Sequence, residues 1–167
     1  MNGQDVVIAL KLAIAGSSNW TFAKLATAVG LSPSQALASV RRLRLSGLVS
    51  DTGWRIATAE LADFLIHGLP CVFPATIGGV TVGVPTASAV DSVRQNLGLA
   101  SGRPLVWPYP AGSMRGEAIK PLHRSVPRVA LHDPPLHEML ALVDCLRIGR
   151  PRERGIAARV LRARLAA

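Results

Sequence analysis

The segment HRSVPRVALHDPPLH gathers His123, His132, Asp133 and His137, side chains able to hold a metal ion. Their spacing matches no common zinc motif, and His132 and His137 straddle Pro134-Pro135, so they cannot share one helical face. Asp133 fits better as the cap of a helix beginning at Pro134. TIGGVTVGVP is glycine-rich but lacks a dinucleotide or phosphate-loop pattern, and a proline-rich stretch rather than a helix follows it. PYPAGSMRGE contains a serine without the elbow that exposes a nucleophile. No nucleophile is paired with a base at a recognisable spacing. The sequence therefore predicts no enzyme, no metal and no cofactor.

What remains is recognition by charge. Nineteen basic side chains face ten acidic ones, a net +9, which suits a polyanionic partner: nucleic acid, an anionic membrane surface or an acidic protein. Seven arginines against one acid, Glu153, lie between Arg147 and Ala167. Arginine's planar fork suits phosphates and carboxylates, which makes Arg150, Arg152 and Arg154 candidates for a partner contact. A solvated surface enriched in arginine by codon usage accounts for the same residues. VWPYP offers Trp107 to a partner, with Arg115 beyond it, because Trp, Tyr and Arg concentrate at binding hot spots; core packing of Trp107 is the other reading.

The elements that must position these residues divide by proline use. Pro33 is the only proline in the first 69 residues and eleven follow, so the first part can be helical while the middle must be short strands and loops. The fold class expected is α+β, with one unit over 1–68 and a second, ending in two helices, over 69–167. Helices are predicted at Asp5–Ala15, Thr21–Val29, Pro33–Ser46 and Ala59–His67, with a hairpin at Leu48–Ile56. Beyond the boundary come a hairpin turning at Gly78-Gly79, a short helix at Ala89–Leu97, an extended segment turning near Gly112, and closing helices separated by Gly149. In the last helix, Ile156, Val160 and Leu161 should form a buried stripe with Leu165 behind it. VVIALKLAIA is too short for a membrane span and contains Lys11. Cys71 and Cys145 read as buried, reduced thiols, and the chain as a cytoplasmic protein.

Leu25–Ile56 carries the strongest local pattern. Ser32 can cap the next helix, Pro33 fits its first position, and Gly30 permits the left-handed turn between two helices. Ala36, Val40 and Leu43 recur as a buried stripe, Gly47 closes the helix, and Asp51-Thr52-Gly53 makes a tight turn. GLSPSQALASVRRLRLSGLV resembles the recognition helix and wing of bacterial winged helix–turn–helix regulators of the MarR-like kind, over roughly residues 5–67. The C-terminal RGEAIKPLHRSVPRVALHD and MLALVDCLRIGRPRERGIA resemble toxin-associated winged-helix proteins of the AbiEi antitoxin type.

The first resemblance implies a transcriptional regulator, a repressor whose occupancy of a promoter excludes polymerase. It also implies double-stranded DNA as partner, and a homodimer helped by the apolar first helix. The second implies a protein partner such as a toxin. With the stripe inward, Ser34, Gln35, Leu37 and Ala38 face the groove. Gln can pair with adenine and an apolar group can meet a thymine methyl. Arg41, Arg42 and Arg44 would hold phosphates or a guanine, and Arg55 on the wing the backbone or minor groove. Leu37 and Ala38 equally suit a protein interface, and residues 1–67 net only +2. An interaction adaptor that keeps the shape without DNA therefore stands beside the regulator.

Overall fold

The computed structural model describes residues 1–16, 19–97 and 103–166. Helix α1 (Gly3–Ala15) is the centre of the molecule. Val6, Val7, Ile8, Ala9, Leu10 and Leu12 are all buried, so apolar residues cover the helix all round. A helix of that kind has to be enclosed. It is enclosed by α3 (Pro33–Leu45) on the N-terminal side and by α8 (Pro134–Ile148) from the C-terminal half. The buried apolar residues of α1 pack within the chain, and Ala13 and Ile14 near its end are partly buried.

Helix α2 (Phe22–Val29) starts at Thr21, whose hydroxyl accepts the Lys24 N–H, and ends at Gly30 in the left-handed conformation. Helix α3 follows after one intervening turn. Helix α4 (Thr58–Asp63) runs through a wide π-helical turn, Phe64–Gly68, into α5 (Leu69–Val72). A proline ring clashes with the carbonyl four residues back in a regular α-helix, and the widened turn gives Pro70 room. The expected boundary at 68/69 thus falls inside a continuous helical run. Buried residues from both sides of it form one cluster.

Strands β1 (Ile77–Thr86), β2 (Leu105–Pro108) and β3 (Met114–Ile119) make the sheet. Each pairs with the other two, closing the sheet on itself; β1 is antiparallel to both, and β2 and β3 are parallel. The expected hairpin at Gly78-Gly79 is corrected: these glycines lie within one ten-residue strand. The segment after β2 crosses β1 where Gly83 and Gly112 meet backbone to backbone, and a Cβ on either would overlap the other strand or loop. Glycine is required there for close approach.

Helices α6 (Asp91–Leu97) and α7 (Val126–Ala130) precede α8, and α9 (Pro151–Ala166) closes the chain after Gly149. Asp133 caps α8 by accepting the Leu136 N–H at 3.2 Å. The α9 stripe is Ala157, Leu161 and Leu165, with Ile156 and Val160 only partly covered. Cys145 is buried, which pushes its thiol up to about 12, whereas Cys71 is exposed, a correction to the expected pair of buried thiols. The architecture is mixed α and β, and no helix among the described residues is long and apolar enough to cross a membrane.

Candidate nucleic-acid interface

The α2–α3 turn is built locally. Gly30 has φ +67, and the Leu31 N–H donates to Ala26 O at 2.8 Å, closing the end of α2. Ser32 Oγ accepts the Gln35 N–H at 3.2 Å while Gln35 Oε1 accepts the Ser32 N–H at 2.9 Å, a reciprocal capping box. Ala36, Val40 and Leu43 are buried as the stripe requires. Ser34 is exposed, its Oγ 3.0 Å from Ser32 Oγ. Gln35 is half-buried with its oxygen committed to the cap, leaving its amide N–H₂ as the outward group. Leu37 and Ala38 are half-buried, and Arg41 is exposed.

Arg42 and Arg44 are each engaged within the chain. Arg42 Nε and Nη2 donate to the two oxygens of Asp5 at 2.8 and 2.7 Å, and Nη2 also reaches Ser39 Oγ at 3.1 Å. This two-pronged pair ties α3 to α1. Burial works to raise the Asp5 carboxyl, but hydrogen bonds from Arg42, the Asn2 N–H and Ser39, with the Arg42 charge, hold it below its ordinary 3.8. Asp5 in turn raises Arg42. The expectation that Arg42 lies on the outer face is corrected: a buried carboxylate claims it.

Arg44 serves the turn that follows α3. Val49 pairs with Ile56, the Ser50 N–H donates to Arg55 O at 2.9 Å, and the Ala57 N–H to Leu48 O at 3.0 Å, making a minimal hairpin around Gly53, φ +81. Arg44 Nη2 donates to Gly53 O at 3.0 Å, and Trp54 stands edge-on to Phe22 of α2 with ring centroids 5.1 Å apart. The hairpin tip is therefore fastened to both helices, and Arg44 is a fastener rather than an outward cation. Arg55 is exposed on the hairpin.

The residues expected to bind a partner separate in the same way. Trp107 is 1% exposed, and its indole N–H donates to Asp144 Oδ2 at 2.7 Å; the exposed-strip reading of Trp107 is corrected to a core role. Asp144 also accepts from Thr86 Oγ1 at 2.8 Å and from Arg147 Nη1 at 2.6 Å, and Arg147 Nε reaches Phe73 O at 2.9 Å. Burial pushes the Asp144 carboxyl up, opposed by Arg147, Thr86 and Trp107. The sheet, the end of α5 and α8 are pinned together at this point. Arg115, Arg150, Arg152 and Arg154 are exposed, whereas Arg162 and Arg164 pair with Asp63 and Glu138 at 3.0 and 2.8 Å.

The histidines do not converge. His123 Nδ1 lies 2.9 Å from Ser125 Oγ, His137 Nε2 lies 2.7 Å from Pro85 O, and His132 is exposed. Burial, then the nearby Arg124 charge, lowers His123 below its ordinary 6.5.

Sequence reasoning missed α7. It packs against the α2–α3 turn, and Ser125 Oγ donates to Val29 O at 2.8 Å. A signal was present in the charge order. No acidic residue lies between Asp5 and Asp51, and none between Glu117 and Asp133, so the two segments that meet at this turn are both acid-free. Arg41, Arg55, Arg124 and Arg128 are exposed around them. No protein-family model matches this chain, no curated protein matches it, and no solved structure matches it.

Proposed function

We propose that the chain is a winged helix–turn–helix DNA-binding protein, a transcriptional repressor that occupies duplex DNA through α3 and the 48–57 hairpin. The observation that carries this reading is the capped α2–turn–α3 unit. Its hairpin tip is fixed to α3 by Arg44 and to α2 by Trp54. A rigid two-part probe of this kind can place a helix start in a major groove and a loop on the flanking backbone. Ser34, the Gln35 amide and Arg41 are the groups available to base edges, and Arg55 to a phosphate or the minor groove. The C-terminal half would couple occupancy to a protein partner, a toxin in an antitoxin-like autoregulator.

The test is fluorescence anisotropy with duplex DNA from the region upstream of the coding sequence, against a scrambled duplex, across a salt series. Arg41→Ala and Arg55→Ala should each weaken binding several-fold, and Arg41→Ala should also narrow the preference between the duplexes. A folded protein with no salt-dependent affinity for either duplex sinks the proposal. A second reading, an adaptor that binds protein without DNA, draws on the engagement of Arg42 and Arg44 and on Leu45, 88% exposed at the end of α3. An adaptor would keep its partner in the Arg41→Ala/Arg55→Ala double variant.

A further inference from the structure

We propose that α7 and the residues leading into it supply a second DNA contact, a phosphate clamp formed by Arg128 beside the α2–α3 turn and by Arg124, four residues before Arg128; this rests on the DNA-binding reading above. Arg128 Nη2 stands 2.9 Å from where a Cβ on Gly30 would lie, and Gly30 is two residues before the Ser32 cap of α3. The guanidinium therefore lies at the entrance of the helix that would enter the groove. Thr27, Gly30 and Leu31 from the turn, with Arg128 and His132 from α7 and its end, line an open cleft of about 460 Å³. None of its lining residues is acidic.

The charge of the two arginines is unopposed. Arg124 and Arg128 are exposed, and neither makes an ion pair among the described residues. The nearest acid in sequence to Arg128, Asp133, is already held by Lys11 at 2.7 Å. The backbone that carries the two arginines is anchored. Ser125, between the two arginines, is buried and donates to Val29 O at 2.8 Å, while Val126 and Val129 sit in the core. A planar guanidinium at the edge of a recognition element suits a phosphate oxygen pair, and a backbone contact positions without reading sequence. The C-terminal half then belongs to the DNA-contacting surface, in addition to any partner it takes.

The experiment is the salt-dependent anisotropy titration on the full chain with Arg128→Ala, Arg124→Ala/Arg128→Ala and Arg128→Lys, each shown to be folded by circular dichroism. Neutralising one phosphate contributes about 0.9 to the log–log salt slope. Arg128→Ala should lower the slope by about one contact and the double variant by about two, with affinity falling several-fold per step. The ratio between native and scrambled duplexes should not move, and Arg128→Lys should keep the slope. If the unaltered protein binds duplex and the alanine variants leave its slope unchanged, the clamp is overturned while the DNA-binding reading stands. Stabilisation of the parent by inorganic phosphate, lost in Arg128→Ala with that slope unchanged, would assign the cleft to a free phosphate instead. If the unaltered protein shows no salt-dependent binding, both readings fall together.

Discussion

Arg42 shows how one side chain can look functional in sequence and be structural in space. It sits in the run Arg41-Arg42-Leu43-Arg44, and nothing local distinguishes it from its neighbours. Asp5, fully buried and 37 positions away, does. Truncating one member of such a pair strands the other without its countercharge. Arg42→Ala should therefore cost about 2–3 kcal/mol, less than a fully enclosed pair because the Arg42 side chain keeps partial solvent access. Urea unfolding measures the loss, and a change under about 0.5 kcal/mol would mean that the pair is only a surface contact. Arg42→Ala is consequently a poor probe of DNA binding, since it alters the α1–α3 packing, whereas Arg41→Ala is a clean one. Ala36, Val40 and Leu43 were legible because helix periodicity is a local property. The Arg42 and Trp107 roles were not, because the carboxylates that claim them come from distant elements.

Among the elements, the ones set by neighbouring residues match their sequence signals most closely. Helix α3 begins at Ser32-Pro33 and α8 at Asp133-Pro134 because a capping oxygen and a preset φ act within one turn. The sheet departs from expectation for the opposite reason. Gly78-Gly79 carries a turn signal, but the two glycines fall at an irregularity of the β1–β3 ladder, between the Ile77–Ile119 and Val80–Glu117 pairs, so they mark a bulge within the strand rather than its reversal. Helix α7 is five residues long and contains Pro127, too short for a periodic pattern. Its docking makes Gly30 doubly constrained. An alanine there would hold φ at +67, and its Cβ would meet Arg128 Nη2, Ser125 Cβ and Val129 Cγ2 at 2.9–3.2 Å. Gly30→Ala should destabilise the chain by about 1–3 kcal/mol, combining left-handed strain with the displacement of α7. It should also weaken duplex binding beyond what lost stability explains, because both proposed contact surfaces hinge on this turn. Thermal melting and anisotropy on the same sample separate the two effects. A variant as stable as the parent would mean that α7 does not bear on the turn.

At the scale of the molecule, the single buried cluster makes unfolding report on both halves together, so local titrations should appear in one global midpoint. His123 is lowered from 6.5 by burial and by the Arg124 charge, and its Nδ1 lies 2.9 Å from Ser125 Oγ, which donates to Val29 O. Folding thus favours neutral His123, and its contribution is full above pH 6.5 and lost as pH falls through that value towards the depressed one. Asp5 is lowered from 3.8, so its contribution is present above pH 3.8 and disappears as the pH falls further. His123 and Asp5 should therefore each contribute a stage of loss on acidification, one beginning near pH 6.5 and one below pH 3.8, while Asp144, raised from 3.8 by burial, contributes in the opposite sense above pH 3.8. Denaturant midpoints across pH 3–8 measure the profile. His123→Asn, which does not titrate, should flatten the first stage and leave the second. Arg42→Ala should change the second and leave the first, since it removes the group that lowers Asp5. If His123→Asn leaves the first stage in place, the loss near pH 6.5 arises elsewhere. The His123–Ser125–Val29 connection would then be insensitive to pH, and α7 would stay on the turn through that range. Because that same connection holds α7 on the α2–α3 turn, a first stage confirmed in stability ties acidification to the surface proposed to grip DNA.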